Sequence, residues 1–275
     1  MTEEGKKFIS RLVMQMAVPC MCIQGLTANL TREIILESGQ MLLVPLCCIT
    51  LNFPLSLLIG KSLKLPRKKL GVFIVMCSMS NSMLVGYAMC TELFGDVCIP
   101  YVMLFYMVST AFTQAAAVSI VQWSGGASCS SVLEIMKMLC TPAVFGVIAG
   151  FAFVVLGISL PPIAMSYMKY MANLVSPCAL ILTGYIIYKA DVKSLKISLP
   201  ISIMMCFRFV ISPLIFLVAC MILGVEGLAR NVFIIEAAMP TLSITAVAAS
   251  EYGADEEMAA TGAALTTIAS FAVGT

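Results

Sequence analysis

Long apolar stretches, separated by short turns rich in glycine, proline or charge, fill the whole chain. A bilayer core of about 30 Å takes roughly 20 apolar residues per helix. On that measure the pattern predicts helical spans over 8–26, 41–60, 70–91, 98–123, 136–159, 168–188, 196–223, 229–250 and 257–275. The turns carry the breakers: Leu65-Pro66-Arg67-Lys68-Lys69, Ser124-Gly125-Gly126, Leu160-Pro161-Pro162 and Gly224-Val225-Glu226-Gly227. No polar segment is long enough for a soluble domain or an extended linker. The expectation is an all-α, polytopic integral membrane protein forming a single domain over 1–275.

The apolar pattern also repeats. Pro19 returns as Pro177, 158 residues on, and Pro54 as Pro213, 159 on. Val72-Phe73-Ile74-Val75 returns as Val232-Phe233-Ile234-Ile235, 160 on, and Glu92-Leu93-Phe94-Gly95 as Glu251-Tyr252-Gly253. Equivalent helices then lie five spans apart. Five is odd, so the two copies would cross the membrane in opposite directions, an inverted-topology repeat of the kind on which many carriers are built. The fifth span has no partner ahead of residue 1. The expected plan is therefore five plus five helices with the first one missing: repeat 1 over 1–123 and repeat 2 over 132–275.

Composition sharpens the class. The chain is 61% hydrophobic and 11% charged, with a mean hydropathy of +1.04. Soluble domains carry about 25% charged residues. The net charge of +2 offers nothing to a nucleic acid. The absence of histidine removes histidine zinc sites, Ser-His-Asp triads and imidazole pH sensing. No paired intramembrane aspartates and no activated-serine motif point to an enzyme. The 12 cysteines sit in apolar runs and read as small hydrophobes, so no metal site and no cofactor is expected. Basic residues favour the cytoplasmic side. Lys6 and Lys7, the 61–69 loop with Lys61, Lys64, Arg67, Lys68 and Lys69, and Lys189, Lys193 and Lys196 fall on one side by helix counting. The N-terminus and the 61–69 loop are thus expected in the cytoplasm of a cell-membrane protein.

Candidate chemistry concentrates in the third and eighth spans. The third holds Ser78, Ser80, Asn81 and Ser82, with Gly86 beyond. The eighth holds Glu236, Pro240, Thr241, Ser243 and Thr245. A proline within a helix frees backbone groups, and in lipid these persist only where protein or a water-filled cavity satisfies them. Two polar, interrupted helices at matching positions of inverted repeats point to a binding site at mid-membrane. The plainer alternative is a pair of kinked packing helices whose Ser and Thr bond their own backbone. Glu236 is the one carboxylate well inside a predicted span and Arg208 the one guanidinium. A charge at a helix centre costs about 2.5–3.5 kcal/mol, so neither is expected to face lipid. Glu236 suits a proton or cation and Arg208 an anion; alternatively they pair and hold the seventh and eighth spans together. Gly146-x-x-x-Gly150 permits close helix packing.

Three segments of the first half stand out: Leu65-Pro66-Arg67-Lys68-Lys69-Leu70-Gly71-Val72-Phe73, Ser80-Asn81-Ser82-Met83-Leu84-Val85-Gly86 and Leu93-Phe94-Gly95. More specific are Glu236-Ala237-Ala238-Met239-Pro240 and Ala249-Ser250-Glu251-Tyr252-Gly253-Ala254-Asp255. Together, in this order, they give a resemblance to the auxin efflux carrier family. It implies a ten-helix carrier with inverted five-helix repeats and crossed, proline-broken helices, with Asn81 and the Pro240 segment at the crossover. It implies organic-anion cargo: auxin in plants, dicarboxylates such as malate or malonate in some bacterial relatives. The family has glycine where Met83 stands and proline where Ala88 stands, which predicts a less broken first crossover. The segment 124–131 is short beside the central loop of the large plant carriers, which suggests a bacterial-type or compact member.

The expected function is a secondary transporter moving a small organic anion such as a carboxylate by alternating access. Asn81, Ser82, Gly86, Pro240, Thr241, Ser243 and Thr245 are the candidate substrate residues, and Glu236 and Arg208 the candidate ion-coupling residues. The expected partners are the anion, the lipid bilayer, a coupling proton or Na+, and a second copy in a homodimer. Two rivals remain at this point: a Na+- or H+-coupled exchanger or symporter of similar plan, and a non-transporting membrane subunit.

Overall fold

The computed structural model describes residues 3–29, 32–126, 142–175, 177–178, 181, 185, 197–242 and 244–273. Among these the chain is helical, with no strand beyond one isolated antiparallel bridge. We number the helices α1 (3–29), α2 (Arg32–Ser62), α3 (Arg67–Ser78), α4 (Ser82–Phe94), α5 (99–125), α6 (Pro142–Leu156), α7 (Pro162–Ala172), α8 (Leu199–Ile222), α9 (Gly227–Ala237), α10 (Ile244–Tyr252) and α11 (Glu256–Val273). Among the described residues the apolar stretches are helical. Two expected spans are each divided: 70–91 into α3 and α4, and 229–250 into α9 and α10. Parts of the spans 136–159 and 168–188, together with Lys189, Lys193, Lys196 and Ser243, lie outside the described residues. The sixth span opens earlier than 168, at Pro162, because proline at the first helical position sacrifices an N–H that has no partner there anyway.

Proline also shapes α1 and α8 from within. Pro19 and Pro213 lack the N–H that would bond four residues back, and their rings crowd that carbonyl. Just ahead of each, the helix widens into a π turn. Val13–Ala17 is closed by the Val18 N–H on Val13 O, and Phe207–Ile211 by the Ser212 N–H on Phe207 O. Proline is not sufficient for this, since Pro45 and Pro54 lie inside α2, which is α-helical throughout.

The core is apolar and aromatic. Phe105 of α5 lies 5.6 Å from Phe216 of α8 and 6.4 Å from Phe233 of α9, centroid to centroid. Such pairs add about 0.5–1.5 kcal/mol each beyond their buried area. Gly146 and Gly150 let α6 lie against α1: a Cβ on Gly146 would stand 2.8 Å from Pro19 O, and one on Gly150 3.2 Å from Cys22 O. The outer faces are apolar too. Val210, Leu214, Val218, Met221 and Ile222 of α8 are all exposed, which suits a hydrocarbon surround and not water. Met41–Ser62 and Leu199–Ile222 are long and apolar enough, by length and composition, to cross a bilayer.

One end of the bundle is closed by backbone contacts. Lys68 O accepts the Ser124 hydroxyl at 2.9 Å and the Asp255 N–H at 3.2 Å. Arg67 stacks 4.8 Å over Trp123, and Lys69 lies 3.7 Å from Asp255. The start of α3 therefore sits beside the end of α10, and the two interrupted helices run in opposite directions.

Candidate functional site

The two interruptions meet. After Ser78 the chain leaves the helix: Met79 is extended (φ −110°, ψ 133°), and the helix resumes at Ser82. In the other interrupted helix α9 ends at Ala237 and α10 starts at Ile244. The extended pieces cross as an antiparallel bridge between Ser80 and Thr241, and the Asn81 N–H donates to Pro240 O at 2.8 Å. Pro240 O is a carbonyl that the ended helix leaves without an intrahelical donor. The departures at Met83 and Ala88 led us to expect a weaker first break. It is complete nonetheless, because its backbone finds partners in the second break instead of in its own helix.

Asn81 stands at the resumption of helix. Its carbonyl accepts the Gly86 N–H at 3.1 Å and the Val85 N–H at 3.3 Å, and Ser82–Gly86 forms a π turn. Ser82 is buried at the mouth of α4, where the first N–H groups of a helix have no carbonyl ahead of them to bond. The Thr241 N–H donates to the Thr266 hydroxyl of α11 at 3.2 Å, and that hydroxyl donates on to Gly262 O at 2.8 Å. The hydroxyls of Thr241 and Thr245 are buried and have no protein partner. Ser243, the remaining predicted residue of this segment, is outside the described residues.

Glu236 and Arg208 flank the crossing and do not form an ion pair with each other. Glu236 is 0% exposed. Its Oε1 accepts the Cys90 thiol at 3.9 Å, while Oε2 has no partner. Gly86 faces it directly, and a Cβ there would stand 2.6 Å from Oε1. Arg208 lies in the π turn of α8 and is 1% exposed. Its Nε donates to Met239 O at 2.8 Å and its Nη1 to Cys77 O at 3.1 Å, while Nη2 has no protein partner. The arginine therefore joins the two breaks, a role different from the pairing considered above.

Asn81, Ser82, Gly86, Glu236, Pro240, Thr241 and Arg208 thus belong to one neighbourhood. The sequence reading missed Thr266, and it also missed a polar seam between α2 and the site. In that seam the Asn52 side-chain amide donates to the Ser212 hydroxyl at 3.1 Å, and Ser56 and Ser78 hydroxyls lie 3.2 Å apart. Asn52 is a lone amide within the apolar stretch 41–60. Nothing distinguished Thr266 or Ser212 from hydroxyls that bond their own helix.

The profile of the family described as "Membrane transport protein" matches residues 1–273. The chain belongs to that family. The auxin efflux carrier resemblance is borne out by this match, and the chain is accordingly a membrane protein. It is also 24% identical, over 98% of its length and 88% of the relative's, to a protein of Methanocaldococcus jannaschii described as an uncharacterized transporter.

Proposed function

We propose that this family member is a secondary transporter that moves a small organic anion by alternating access, with the crossover as its binding site. The observation that carries the reading is the antiparallel meeting of two broken helices, Asn81 N–H to Pro240 O at 2.8 Å, in a chain of a membrane transport family. A broken helix at membrane depth is stable where it is buried in protein or lines a cavity. The resumed helices α4 and α10 each present N–H groups and the positive end of a helix dipole, which favours an anion. Asn81, Ser82, Thr241, Ser243 and Thr245 supply the hydrogen bonds in this reading. Gly86 leaves room for the Glu236 carboxyl.

The opposed direction of α3–α4 and α9–α10 supports an inverted repeat with copies over 1–123 and 132–275, in a nine-span plan. The basic 61–69 loop supports placing that loop and residue 1 in the cytoplasm. Proteoliposome uptake of radiolabelled carboxylates tests the function. Uptake present in the wild type and reduced in Asn81→Ala and Pro240→Ala is expected; unchanged uptake in both removes the crossover from the mechanism.

A second reading, proton-coupled movement, is favoured by Glu236, a buried carboxyl with one oxygen unpartnered. Glu236→Gln keeps the shape and removes the titratable group. Stimulation of uptake by an imposed proton gradient is expected in the wild type and absent in the variant. Equal stimulation in both excludes Glu236 as the coupling group.

A further inference from the structure

Four helix ends meet at the crossover, and their charges are not alike. The starts of α4 and α10 are positive ends. The ends of α3 and α9 are negative, each equivalent to about half an elementary charge. Carriers with broken helices at mid-membrane commonly place a cation against such carbonyl-bearing ends. Here that place holds a side chain. The Arg208 guanidinium donates to Cys77 O in the last turn of α3 and to Met239 O just past α9. One fixed positive charge thus meets two half-charges. Arginine stays protonated at any physiological pH, so the neutralisation is permanent.

We propose that Arg208 is the resident counter-cation of the crossover, taking the place of a bound metal cation. Substrate movement then needs no Na+. The inference deepens the reading of the crossover as the transport site and narrows its coupling to ions other than sodium. Three observations carry it. Arg208 comes from α8, outside both broken helices, so its bonds hold two separate breaks at a fixed separation. Its π turn, just ahead of Pro213, carries the side chain at the level of the crossing. Among the described residues no acidic side chain forms an ion pair with it; the buried Glu236 carboxyl acts on it only at longer range, so the two carbonyls are its direct partners. The third nitrogen, Nη2, has no protein partner and remains for a carboxylate oxygen of the substrate.

The test uses the purified full chain, wild type, Arg208→Lys and Arg208→Ala, in detergent for thermal unfolding and in proteoliposomes for carboxylate uptake. In the wild type, replacing Na+ with choline leaves both the unfolding temperature and the uptake unchanged. In Arg208→Ala uptake falls by about thirtyfold or more, as expected for loss of a buried, hydrogen-bonded charge. Millimolar guanidinium restores part of the stability and uptake, and urea, its neutral counterpart in shape, restores neither. Arg208→Lys, which keeps the charge without the fork, lies between. A wild type that requires Na+, an alanine variant that retains full uptake, or equal rescue by urea overturns the proposal. Should Arg208→Ala not fold, the wild-type sodium arm and the lysine variant still decide it. Should the wild type move no carboxylate, the transport reading fails by itself, while the guanidinium and sodium effects on unfolding still test the counter-cation.

Discussion

Gly86 and Glu236 share one space, and this fixes what either position tolerates. A methyl group on Gly86 would have to displace a carboxyl that is itself fully enclosed. Gly86→Ala is therefore expected to lower stability by about 1–3 kcal/mol, the usual cost of overpacking, read as a lower unfolding temperature in detergent. An unchanged temperature would mean that the carboxyl has room to turn away. Asn81, Glu236 and Arg208 stand out in the sequence because a chain that is 11% charged cannot hide a mid-span Asn, Glu or Arg. What Arg208 bonds was not legible. Its partners are the backbone carbonyls Cys77 O and Met239 O, exposed only because two other helices end there. Sequence identity at 77 and 239 says nothing about that.

Helix interiors and helix contacts make different demands on glycine. A Cβ on Gly39 in α2 would have nothing within 4 Å, whereas one on Gly146 in α6 would meet the Pro19 backbone oxygen at 2.8 Å. Gly39→Ala is expected to raise stability by about 0.8–1 kcal/mol through helix propensity. Gly146→Ala is expected to lower it by about 1–3 kcal/mol, because a backbone cannot move aside as a side-chain tip can. Thermal unfolding of the two variants side by side reads both signs; a loss at Gly39 contradicts its open surroundings in α2, and a gain at Gly146 contradicts the packing of α1 on α6. The apolar pattern announced these helices well, since about 20 apolar residues leave little choice of element. It announced the π turns poorly: Pro19 and Pro213 produce one and Pro45 and Pro54 do not. It also understated the first break. Met83 and Ala88 are not residues that break a helix locally, and the non-helical Met79–Asn81 segment is held instead by a strand bridge from about 160 residues away.

At the scale of the whole molecule the account depends on opposed threading. Lys68 O on the Asp255 N–H fixes one end of the interrupted pair, and Ser80 opposite Thr241 fixes the middle. The sequence offset of 158 to 160 residues suggested this arrangement, because an odd number of spans separates the copies. Cross-linking measures it most directly. Residues directly opposite in an antiparallel pair have Cα atoms about 4.5–5.5 Å apart, within the range a disulfide spans. In a background with the native cysteines replaced, Ser80→Cys with Thr241→Cys is expected to form an intramolecular disulfide in the membrane-embedded protein, detected by mass spectrometry of the joined peptides. Ser62→Cys with Thr241→Cys serves as the control and is expected to remain reduced. Efficient joining of 80 to 241 alone is the predicted result; failure of that pair to join in folded protein would contradict the meeting of the two breaks on which the transport reading stands.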